Sequence, residues 1–166
     1  MHDSKATSEQ LSLVLDELKR LPLCKSILSC NPAGLAAMAE LGRLESFPAD
    51  IVVLTAGQPA DALRFVISGR VALSFEHAGT GAHSHGSVSP GDLLGWSALR
   101  EGATWTVNAR TTKPTRFVTL PGAELRALCD RDRDLGYCLM RYVFENVAQR
   151  LVDARVQLLD LYGRAG

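Results

Sequence analysis

Apolar residues follow two different rhythms along this chain. Leu11, Val14, Leu15 and Leu18 recur at helical spacing, and Ser8 stands where it could cap that helix. Pro22 breaks the pattern, and Asn31-Pro32 marks a second helix entry into residues 33–41. Residues 1–41 are therefore read as an N-terminal helical segment. From residue 42 to 120 the period becomes two. Leu63, Phe65 and Ile67 alternate with their neighbours, and Val71, Leu73 and Phe75 alternate with Ala72, Ser74 and Glu76. Ser68-Gly69 between these runs predicts a tight hairpin, and Gly57-Gln58-Pro59, Gly79-Thr80-Gly81 and Pro90-Gly91-Asp92 predict further turns. Many short strands divided by turns predict a closed roll or sandwich.

Residues 121–166 return to the helical rhythm. A short helix over 122–130 meets the run Asp130-Arg131-Asp132-Arg133-Asp134, which alternates in sign and reads as a solvated boundary. Asp132 is placed to cap the long helix expected over 134–162. Along that helix Met140, Phe144, Val147, Leu151, Ala154, Leu158 and Leu161 step by four and three, a heptad seam. Arg141, Glu145, Gln149, Arg150, Asp153 and Gln157 lie mostly off it. A helix of roughly 30 residues spans about 45 Å, which overshoots a small domain. Its first turns are expected on the roll and its distal half on a second copy of the chain, with Val152, Val156 and Leu159 as a second apolar line.

Composition narrows the function classes. The chain has 166 residues, 46% of them apolar, and 18 basic residues balance 18 acidic ones. That suits one folded domain and shows no basic excess of the kind DNA-binding domains carry. The opening MHDSKATSEQ lacks an apolar secretory core, and no apolar run has membrane length. The expectation is a cytoplasmic chain that does not contact membrane. Cys24, Cys30, Cys129 and Cys138 show no CxxC pair or zinc spacing, and are expected as reduced, mostly buried thiols.

Two stretches carry a family resemblance. AGQPADALRFVISGRVALSF, residues 56–75, has a turn, strand, glycine-led hairpin and strand; PGDLLGWSAL, residues 90–99, opens a glycine-led segment that runs to about residue 106. With helices on both sides, the chain resembles the cyclic nucleotide-binding domain of catabolite-activator-type regulators and protein kinase regulatory subunits, over roughly residues 20–160. The resemblance implies a mainly β fold: a β-roll, double-stranded and jelly-roll-like, with N-terminal helices and a long C-terminal dimerisation helix. It also implies a phosphate-binding cassette at residues 90–106. There a glycine lets the backbone approach an anion, amides of a short helix face it, an arginine grips two oxygens, and a glutamate accepts the ribose 2′-hydroxyl.

This chain keeps part of that set. Gly95 matches the glycine, and Ser97, Ala98 and Leu99 match the short helix. Trp96 stands at the glutamate position, where it would stack on a flat ring or fill the pocket. The arginine position falls at Ala103 or Thr104, so no guanidinium is there. Thr104 or Thr106 would offer one neutral hydrogen bond, and the register of Arg100 points it elsewhere. The helix residues expected to meet a purine fall near Ala154 and Arg155. A charge-assisted hydrogen bond is worth about 1.5–3 kcal/mol, so losing both side chains would weaken cyclic AMP about a hundred- to ten-thousand-fold. The ligand-binding candidates are Gly95, Trp96, Ser97, Ala98, Leu99, Thr104 and Thr106. The ligand class is a cyclic nucleotide or another small anion, with no cofactor required.

Other chemistry finds little support. His83-Ser84-His85 puts two imidazoles on one strand face, with His77 across the hairpin. This is similar to metal-binding cupins, but Val88, Ser89 and Pro90 follow instead of a glutamate, and no histidine comes after His85. No Ser/His/Asp or Cys/His set, Walker loop or GxGxxG is present, so no catalytic or metal residue is expected. No recognition helix follows the long helix before Gly166, so direct DNA reading is not expected. The reading is a non-catalytic, homodimeric sensor. The alternatives are a ligand-free module for protein–protein interaction, or the sensor part of a Crp/Fnr-type regulator without its DNA-binding domain.

Overall fold

The computed structural model describes the backbone of residues 3–77 and 81–163, and the side chains of residues 8–75, 86–156 and 159. Three helices lead: α1 (Asp3–Arg20), α2 (Leu23–Cys30) and α3 (Gly34–Leu41). Six strands follow: β1 (Arg43–Phe47), β2 (Val52–Leu54), β3 (Ala62–His77), β4 (Gly81–Val88), β5 (Leu93–Leu94) and β6 (Asn108–Pro121). Two helices close the chain, α4 (Gly122–Arg131) and α5 (Arg133–Gly163). The strands pair antiparallel in the order β1-β6-β3-β4, with β2 on β6 and β5 on β3. This is the expected roll with flanking helices.

The two long strands organise it, and here one expectation is corrected. Ser68-Gly69 is not a hairpin turn: β3 runs unbroken through it. Its pairing with β6 instead slips register between Val66 and Val71. Gly69 sits at φ +96°, and a Cβ there would collide with the Pro114 carbonyl and the Thr115 side chain. The Thr115 hydroxyl accepts the Arg70 N–H at 3.2 Å and donates to the Lys113 carbonyl at 2.7 Å. A glycine with positive φ serves a bulge as well as a turn, and pairing with β6 decides between them. The irregularity turns the strand. Its first half pairs with β5 and the end of β6, and its second half with β4 and the start of β6.

Period-two alternation then feeds two cores. Leu63 and Phe65 of β3, with Val118 and Leu120 of β6, face the helices and pack with Val14, Leu18, Ile27, Met38, Leu125, Leu135 and Leu139. Val66, Val71, Leu73 and Phe117 face the interior of the roll with Leu54, Leu94 and Trp105. Burying each such side chain stabilises the fold by about 1.5–3 kcal/mol. Arg64 shares the opposite face of β3, buried between Glu45 Oε2 at 3.4 Å and Asp61 Oδ1 at 3.9 Å. Thr119 donates to Glu45 at 2.5 Å. Burial pushes the Glu45 carboxyl up, but Thr119, Arg43 and Arg64 outweigh it and hold the group below its ordinary value.

The root of α5 is pinned on several sides. Asp132 Oδ1 accepts the Leu135 N–H at 3.0 Å, the capping bond expected from sequence, while Asn31 donates to Asp132 Oδ2. Gly136 lets α5 approach α4, since a Cβ would lie 2.9 Å from the Cys129 carbonyl. The four cysteines, expected as reduced thiols, divide at this root: Cys30 of α2 and Cys138 of α5 are brought together with Cα atoms 6.3 Å apart, a separation a disulfide can span, and Cys24 and Cys129 stand apart. A separation of 108 residues hid that pairing from the sequence.

Candidate functional site

Gly95 starts the site. Its φ of +83° turns the chain out of β5 into a single 3-10 turn over Trp96–Leu99. A Cβ at Gly95 would lie 2.6 Å from the Ala62 carbonyl and 3.0 Å from the Trp105 ring, so the backbone lies flat against both. The Ala98 N–H bonds back to the Gly95 carbonyl at 3.0 Å, and the Arg100 N–H to the Ser97 carbonyl at 3.0 Å. The Ala98 amide, expected to face an anion, is therefore engaged within the turn. The turn is also tied to α4: Arg126 Nη1 donates to the Ala98 carbonyl at 2.5 Å, and a Cβ on Gly122 would lie 2.8 Å from that carbonyl.

A cavity of about 240 Å³ opens beside this turn. The roll supplies one wall: Leu54, Leu73, Phe75, Leu94 and Val107, with both tryptophans, Trp96 and Trp105. Helix α5 supplies the other: Val147, Arg150, Leu151 and Ala154. Of the sequence candidates, Gly95, Trp96, Ser97 and Thr106 line the cavity. Ala98 is fully buried in the roll core, and Leu99 packs against the helical core. Thr104 pairs with Pro59 in an isolated bridge away from the cavity. Ala154 lies in the cavity wall, where the helix register put it.

The residue missed from sequence is Arg150. In the heptad pattern it falls off the seam, beside Gln149. In the structure its Nη2 donates to the Leu93 carbonyl at the end of the roll wall. Burial pushes the guanidinium below its ordinary value, against the opposing pull of Asp92 and Tyr142. The signal was present: position 150 is three after Val147 and four before Ala154, on one helical face. Among the described lining residues Arg150 is the sole charged group, and no carboxylate is present to accept a ribose hydroxyl. Among the described residues no His/Cys/Asp/Glu group is arranged to hold a metal ion. The side chains of His77, His83 and His85 lie outside the described residues.

The heptad seam splits. Val147 and Ala154 turn toward the roll, Leu151 borders the cavity while staying half exposed, and Met140 and Phe144 remain exposed, Phe144 at 71%. Tyr137, Val152, Val156 and Leu159 are exposed too. The side chains of Leu158 and Leu161 lie outside the described residues.

The fold of the chain matches known proteins. The cyclic nucleotide-binding domain family model covers residues 44–132. The chain belongs to the cyclic nucleotide-binding domain family. A solved cyclic nucleotide-binding protein from Geobacter metallireducens GS-15 is 30% identical, with a TM-score of 0.71 over 82% of this chain and 96% of that one. A cyclic nucleotide-binding domain from Methylobacillus flagellatus KT aligns at TM-score 0.73 and 18% identity, over 82% of each chain. The catabolite activator protein of Thermus thermophilus aligns at TM-score 0.64 and 22% identity, over 82% of this chain and 63% of that one. The latter two speak to the fold alone. No curated protein sequence matches the chain. No helix of this cyclic nucleotide-binding domain, among the described residues, is long and apolar enough to cross a membrane.

Proposed function

We propose that this cyclic nucleotide-binding domain is a non-catalytic sensor module in which occupancy of the cavity repositions α5. One observation carries the reading. The cavity has one wall on the roll and the other on α5, so a ligand between them changes how the helix seats. The output surface is the exposed stripe of α5. Tyr137, Phe144 and Leu151 stand seven residues apart, with Met140, Val152 and Val156 beside them. Heptad spacing is self-complementary, which favours a second copy of the chain as the partner.

The pocket is not built for tight cyclic AMP binding in the family's usual manner. Trp96 stands at the position where the resemblance implies a ribose acceptor, and the cassette position at Ala103 or Thr104 holds no guanidinium. Calorimetry with cyclic AMP and cyclic GMP should give at most weak binding. Light scattering should find a dimer at micromolar concentration and a monomer for Phe144→Glu with Leu151→Glu, both with wild-type circular dichroism. A monomeric wild type would overturn the dimer. A dimer whose α5 amide exchange is unchanged by every cavity ligand would replace the sensor by the ligand-free interaction module.

A further inference from the structure

We infer that the cavity takes a small amphipathic anion, a carboxylate on a flat or branched apolar body, with the carboxylate paired to Arg150 in place of the missing cassette arginine. This rests on the sensor reading and names the ligand class of the same cavity. The volume, about 240 Å³, lies below the roughly 300–1,000 Å³ of pockets for drug-sized ligands. The walls are mostly apolar, with Leu54, Leu73, Leu94, Val107 and two indoles, and Ser97 and Thr106 offer neutral hydroxyls.

Arg150 is the exception. Its described bond, from Nη2 to the Leu93 carbonyl, occupies one of the five guanidinium N–H donors. Among the described residues no carboxylate lies within ion-pairing distance of it. Asp92 pulls on the half-buried guanidinium only from beyond ion-pairing distance, so against apolar walls its charge stays without a direct partner, which is costly. A ligand anion supplies that partner, and a planar carboxylate matches the fork of donors. Its apolar body removes the walls from water. A cyclic nucleotide brings a ribose 2′-hydroxyl that no carboxylate in the described lining can accept. Because Arg150 sits on α5 and reaches the end of β5, the anion engages the helix that carries the output surface.

The chain carries its own reporter, since its two tryptophans both line the cavity. Intrinsic fluorescence is titrated with hexanoate, cyclohexanecarboxylate and phenylacetate, with the primary amide of each, and with cyclic AMP. At least one carboxylate should give a saturable change, its amide binding at least about tenfold more weakly. Arg150→Gln should weaken that carboxylate about 10- to 100-fold and leave the amide unchanged. Arg150→Lys should fall between. Arg155→Gln, the same charge change at an exposed position of α5, should bind as wild type. Equal affinity for acid and amide, full affinity in Arg150→Gln, or cyclic AMP binding more tightly than every carboxylate would overturn the proposal. So would silence with every compound in a protein that melts cooperatively. None of these outcomes decides the sensor reading, which rests on light scattering and on amide exchange in α5.

Discussion

Gly95 can be tested against a second glycine of the same chain. Gly57 and Gly95 hold nearly the same φ, +82° and +83°, but a Cβ at Gly57 meets nothing within 4 Å. An L-residue in this region costs about 1–2 kcal/mol, so Gly57→Ala should lose about that much. Gly95→Ala carries the same backbone cost and a collision. Its Cβ would sit 2.6 Å from the Ala62 carbonyl and 3.0 Å from two carbons of the Trp105 ring. The Ala62 carbonyl is main chain at the start of β3 and yields only if the strand moves. Overpacking of this kind costs about 1–3 kcal/mol more. Gly95→Ala should therefore lose about 3 kcal/mol, a Tm drop of roughly 6–12 °C for a domain of this size. Urea unfolding followed by tryptophan fluorescence and by far-ultraviolet circular dichroism measures both variants. Equal losses at the two positions would refute the argument: the close approach to Ala62 and Trp105 would then carry no energy, and the glycine would serve φ alone.

Other expectations concern the helix root, one carboxylate and the thiols. Asp132→Ala removes the α5 cap and the partner of Asn31, and should cost about 1–2 kcal/mol in urea unfolding; adding Asn31→Ala should cost less than the sum of the two single changes. The Glu45 carboxyl is held below its ordinary value of 4.5 in the folded chain, so its charged form favours folding. That contribution is complete above the unfolded value and is lost as pH falls through the lower folded one. Glu45→Gln should therefore lower Tm at pH 7 and narrow its gap to wild type as pH drops from about 5 toward 3. Alkylation in denaturant without reductant should label two cysteines, Cys24 and Cys129, and four after reduction; four labels in both states would show Cys30 and Cys138 unjoined. Burial, with Asp130 and Asp132 nearby, pushes the Cys129 thiol up to about 11. In the folded chain at pH 8 it should react about two orders of magnitude more slowly than an ordinary thiol of pKa about 8.5.

Local rhythm made most of the architecture legible in the sequence. Period two and period 3.6 are properties of neighbouring residues, so the strands, the helices and the cap at Asp132 could be read before any packing was known. Gly95 was legible through the resemblance of residues 90–99 to the phosphate-binding cassette, and its φ of +83° is one that few other residues tolerate. Tertiary structure decided what local rhythm leaves open. Gly69 looks the same in sequence whether it turns a hairpin or bends one long strand, and pairing with β6 settles which. Cys30 and Cys138 meet because α2 and α5 pack together, a contact that no spacing encodes. A helix also has no outward side until something covers it. Docking of α5 against the roll divided the heptad seam, turning Val147 and Ala154 inward and leaving Phe144 outward. The same rotation carried Arg150 from an apparent solvent face into the wall of an apolar cavity, where one charge alters what the cavity can hold.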